Sequence, residues 1–81
     1  MGKFEIKGQL RILDKTGDIK TIWDAEDEVE VRFARDQFNE FVNNKGYNAF
    51  AVKKDGEKGK KITEFDPKAG RIILVPPIVG G

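Results

Sequence analysis

Residues 3–13 alternate with period two. Phe4, Ile6, Leu10 and Ile12 fall on one face, and Lys3, Glu5, Lys7, Gln9 and Arg11 on the other, the pattern of a half-buried strand. Gly8 falls on the apolar face, where a missing side chain leaves room for a neighbour or marks a bulge. The polar run Asp14-Lys15-Thr16-Gly17-Asp18 reads as a hairpin turn. Ile19-Lys20-Thr21-Ile22-Trp23 is the return strand, with one of Ile22 and Trp23 at an end or edge of the sheet. The period then changes. Val31, Ala34, Phe38, Phe41 and Val42 recur at three- and four-residue steps, one apolar stripe of a helix. Asp27 and Glu30 have capping-box spacing, and Asn44-Lys45-Gly46 supplies a stop with Gly46 as the left-handed C-cap. The spacing predicts a helix over 28–45 that leaves Phe33 off its stripe. Val29, Val31 and Phe33 also alternate like a strand, but the acidic first turn suits a helix N-terminus. Three more strands follow at 47–53, 61–65 and 71–75, separated by a polar loop over 54–60 and an Asp66-Pro67-Lys68-Ala69-Gly70 turn.

An amphipathic helix and a half-apolar sheet bury those faces against each other. The order ββαβββ therefore predicts an α+β domain over 1–75, one helix lying across a mixed four- to five-stranded sheet. Residues 72–75 are apolar without a break, as suits a central strand. The last strand is expected beside the first, with the 66–70 connection crossing an end of the sheet. That is the β-grasp, or ubiquitin-like, order. Of the pairs Ile72/Leu74 and Ile73/Val75, one faces the helix. The other lies on the open face near Ala49 and Ala51, either as a patch suited to partner docking or as ordinary strand formers.

Composition narrows the chemistry. The 81 residues suffice for one small domain. There is no cysteine and no histidine, which removes disulfides, Cys/His zinc sites and Cys/His nucleophiles. The absence of cysteine is compatible with a reducing cytosol, and no apolar run has signal-peptide or membrane-span length. A cytoplasmic protein without membrane contact is expected. Net charge is +1, which gives no general attraction to nucleic acid. Gly56-Glu57-Lys58-Gly59-Lys60-Lys61 lacks the spacing and the Ser/Thr of a phosphate loop. Lys53, Lys54, Lys58, Lys60 and Lys61 read as a solvated loop, broken by Asp55 and Glu57. The cluster Asp24, Glu26, Asp27, Glu28 and Glu30 reads as helix-start charge ahead of a metal site, and Trp23 as core ahead of a stacking platform.

The chain finishes Val75-Pro76-Pro77-Ile78-Val79-Gly80-Gly81. The prolines stop the last strand, since neither donates to a ladder. A tail over 76–81 ending in two glycines is narrow enough to thread an enzyme's channel. With its apolar strand, Pro-Pro, two variable residues and Gly-Gly, this segment resembles the end of MoaD- and ThiS-type sulfur carriers and of archaeal small modifier proteins. Residues 61–66, Lys-Ile-Thr-Glu-Phe-Asp, fall where those proteins have a short strand and turn. The resemblance implies that a separate ThiF/MoeB-type activating enzyme adenylates the Gly81 carboxylate with ATP. Either a thiocarboxylate for a sulfur-acceptor enzyme or an isopeptide to target-protein lysines follows. It further implies that the chain is a substrate and not an enzyme. It would be a monomer with no stably bound cofactor, Gly80 and Gly81 forming the activated end. Ile73, Val75, Pro76, Pro77, Ile78 and Val79 are the expected partner contacts. The first hairpin and the helix do not follow a sulfur-carrier sequence closely. The competing expectation is a β-grasp interaction module with an inert tail, and a nucleic-acid binder ranks last.

Overall fold

The computed structural model describes residues 7–14, 16–52 and 59–77. The expectations for Phe4 and Ile6, for residues 53–58, and for Ile78, Val79, Gly80 and Gly81 lie outside the described residues. Strands β1 (Lys7–Asp14) and β2 (Gly17–Asp24) form the opening hairpin, and helix α1 (Glu28–Asn39) follows. Strands β3 (Asn48–Val52), β4 (Lys60–Ile62) and β5 (Arg71–Val75) complete an α+β fold. The sheet is mixed, in the order β2-β1-β5-β3-β4. β5 lies in its centre, parallel to β1 and antiparallel to β3, the position its unbroken apolar run predicts.

The helix begins at Glu28, where Asp27 caps it by accepting from the backbone N–H groups of Val29 and Glu30. The reciprocal bond of the capping box is not made. Asp27's own N–H goes to the Asp24 carbonyl, so the Glu30 carboxylate reaches the Asp24 N–H and ties the helix start to the end of β2. Past Asn39 the helix widens into a π turn, Glu40–Asn44. Phe41 and Val42 both pack against the core there, which a wider turn permits for adjacent residues. Gly46 adopts the predicted positive φ of 75°.

The core is Leu10, Ile12, Trp23, Ala34, Phe38, Ala49, Ile72 and Leu74. Trp23 is therefore core, and Ile22, on the other face of edge strand β2, is 51% exposed. Phe33 is 58% exposed, off the stripe as expected. One strand is shorter than expected. β4 stops at Ile62, because Phe65 leaves the sheet to pack on Trp23 and Phe38, at ring-centroid distances of 4.9 and 5.8 Å. The Trp23 indole N–H also donates to the Pro67 carbonyl at 3.0 Å. Together these contacts hold the 63–70 connection beneath the end of the sheet where β5 starts. β1 extends the ladder there through Gln9 N–H to the Gly70 carbonyl.

Candidate functional site

β5 carries the chain out of the middle of the sheet, and the candidate site lies at its exit and on the face beside it. Val75 pairs with Asn48 and ends the strand. Pro76 is half-buried and Pro77 exposed, and neither offers a donor to prolong the ladder. The expected contact residues Ile78 and Val79 and the expected activated residues Gly80 and Gly81 lie outside the described residues.

Side chains alternate along β5. Ile72 and Leu74 are buried toward α1, and Ile73 and Val75 are half-buried on the opposite face. The neighbours of that second pair differ from expectation. Ala49 pairs with Leu74 and Ala51 with Ile72, so both alanines lie on the helix side. Phe50 and Val52 take the open face instead, with Phe50 opposite Ile73. The layer under the helix is already filled by Trp23, Phe38 and Phe65, leaving room there on β3 for methyl groups and turning its larger residues outward. The signal that could find Phe50 is strand parity, which needs the β3–β5 register.

One row of paired residues crosses all five strands on the open face: Lys20, Arg11, Ile73, Phe50 and Lys61. Two apolar residues sit at its centre with cations on both sides. The adjoining row is Ile22, Gln9, Arg71 and Val52. Asp18, at the β2 end of this face, pairs with Arg11 at 3.3 Å. An apolar centre with a cationic margin fits a partner surface of apolar residues edged by carboxylates.

The acidic cluster at the helix start has structural duties. Asp24 accepts from the Glu26 N–H, Asp27 caps the helix, and Glu30 bonds to the Asp24 N–H. Among the described residues no group of acidic side chains is arranged to hold a metal ion, and no helix is long and apolar enough to cross a membrane.

No protein family, no curated protein and no solved structure matches this chain.

Proposed function

We propose that this is a β-grasp carrier or modifier protein whose Gly81 carboxylate is activated by a separate ThiF/MoeB-type enzyme using ATP. The observation that carries this reading is the central place of β5. The strand that leads to Pro76-Pro77 is held on both sides by β1 and β3 and borders an open apolar face. A partner docked on that face would have the tail within reach. The reading requires Gly81 to bear the α-carboxylate.

A carboxylate is a poor electrophile until one of its oxygens becomes a leaving group. In the proposed step a Gly81 carboxylate oxygen attacks the α-phosphorus of ATP. The new P–O bond forms as the bond to pyrophosphate breaks, giving an acyl-adenylate. A sulfide nucleophile then displaces AMP to leave a thiocarboxylate. In the conjugation branch a thiol displaces AMP, and a lysine amine takes the acyl group from that thioester. Gly80 and Gly81 present no side chain to a narrow channel. The chain supplies docking and presentation, and the partner supplies the catalytic groups.

The test is ATP–pyrophosphate exchange with activating enzymes from the same genome. Exchange should depend on this protein and cease when Gly81 is deleted. Exchange that survives the deletion, or none with any of those enzymes, contradicts the reading. A second reading, an interaction module with an inert tail, draws on the same Phe50–Ile73 face. It predicts partner binding that does not change when Gly80 and Gly81 are removed.

A further inference from the structure

β2 is an edge strand, and among the described residues no strand lies beyond it. Its hairpin with β1 closes on the Asp14–Gly17 pair across two turn residues, which makes that pair a hydrogen-bonded one. By alternation along the ladder, the backbone groups of Asp18, Lys20, Ile22 and Asp24 point away from β1. Asp24 bears this out: its N–H donates to the Glu30 carboxylate, and its carbonyl accepts from the Asp27 N–H. The outward groups of Lys20 and Ile22 face the free edge, a template for one more strand.

Helix α1 runs beside that edge. The Asp24 N–H donates to Glu30, and the Thr21 hydroxyl donates to Gln37. Asp24 to Thr21 is about 10 Å of strand and Glu30 to Gln37 about 10.5 Å of helix, so the two run side by side in opposite directions. Phe33 falls between Glu30 and Gln37, at the level of Ile22 and Trp23. It belongs to an exposed stripe, Val29, Phe33, Asp36 and Glu40, at helical spacing. The apolar half of the stripe overlooks the Asp24 end of β2, and the acidic half the Lys20 end. Among the described residues the large exposed apolar side chains are Ile19, Ile22, Val29 and Phe33, all on this strand or this helix.

We propose that the β2 edge takes an extended segment of a partner protein as an added strand. That segment is apolar at alternate positions where it passes Phe33 and Val29, and carries lysine or arginine where it passes Asp36 and Glu40. Main-chain bonds to Lys20 and Ile22 supply affinity, and the alternate side chains supply specificity. The pairing of cations with Asp36 and Glu40 fixes the direction of the segment. This surface acts independently of the tail, so deleting Gly81 leaves binding unchanged.

The test selects a random-peptide phage library on the full chain. Enriched peptides should alternate apolar residues and carry a basic flank. With one such peptide at saturation, exchange of the Lys20 and Ile22 amide protons should slow. Phe33→Ser, at an exposed position, should weaken binding tenfold or more, the weight of about 1.4 kcal/mol, with the circular dichroism spectrum unchanged. Selection on Glu40→Lys should abolish the preference for a basic flank. No enrichment, no preference for a basic flank on the wild type, protection confined to other strands, or unchanged binding in Phe33→Ser overturns the proposal. A doubled mass in light scattering without peptide, with Lys20 and Ile22 already protected, would give the edge to a second copy of this chain and overturn the partner.

Discussion

Gly8 and Trp23 are paired across β1 and β2, and the indole fills the space that a side chain at residue 8 would need. A Cβ placed on Gly8 would lie 2.1 Å from Trp23 Cζ2, so the ring would have to move. Trp23 cannot move freely, because it bonds to Pro67 and packs on Phe65. Gly8→Ala should therefore destabilise the fold by about 1–3 kcal/mol through overpacking. Chemical denaturation followed by fluorescence of Trp23, the single tryptophan, measures this. A change within about 0.5 kcal/mol of zero, the range of ordinary surface substitutions, would contradict the packing described.

Loss of the helix cap is a separate, smaller effect. Asp27 accepts from two backbone N–H groups in the first turn of α1. Asp27→Ala should cost about 0.5–2 kcal/mol and Asp27→Ser much less, read as shifts in denaturation midpoint. Equal losses in both variants would argue against capping as the cause.

The helix stripe, its N-cap, the glycine stop at Gly46 and the central place of β5 were all legible in the sequence. Each rests on local spacing or on the unbroken apolar run over 72–75. The content of the open face was not. Ala49 and Ala51 were the expected neighbours of Ile73 and Val75, and Phe50 and Val52 occupy that place. A strand slipped by one residue exchanges its faces, and nothing local within 47–53 sets the parity of β3 against β5. Phe65 likewise reads as a strand residue until Trp23 and Phe38 are seen to need a ring between them.

Docking through the open face can be separated from folding. Phe50 and Ile73 are half-buried and outside the core. Phe50→Glu or Ile73→Glu should leave the circular dichroism spectrum in place and raise the KM for activation tenfold or more, the weight of about 1.4 kcal/mol. A KM unchanged in both would place the docking surface elsewhere.

Stability at alkaline pH should report the surroundings of the Tyr47 phenol. Burial of the hydroxyl first, and the Asp14 carboxylate second, hold the Tyr47 phenol above its ordinary value of 10.0. The folded state therefore keeps a proton that the unfolded chain releases. This contribution is complete below pH 10.0 and is lost as pH rises through the higher folded value. The denaturation midpoint should fall more steeply above that pH in the wild type than in Tyr47→Phe. Parallel declines would mean that the phenol is not held by the fold.

The central claim concerns one atom group, the Gly81 carboxylate, and intact mass tests it most directly. The protein is incubated with ATP, a sulfide source and a ThiF/MoeB-type enzyme of its own genome. A product heavier by the difference between sulfur and oxygen, or an adenylate when sulfide is withheld, is the predicted result, and neither should form when Gly81 is deleted. An unchanged mass with every such enzyme, or a modification that persists without Gly81, would contradict it.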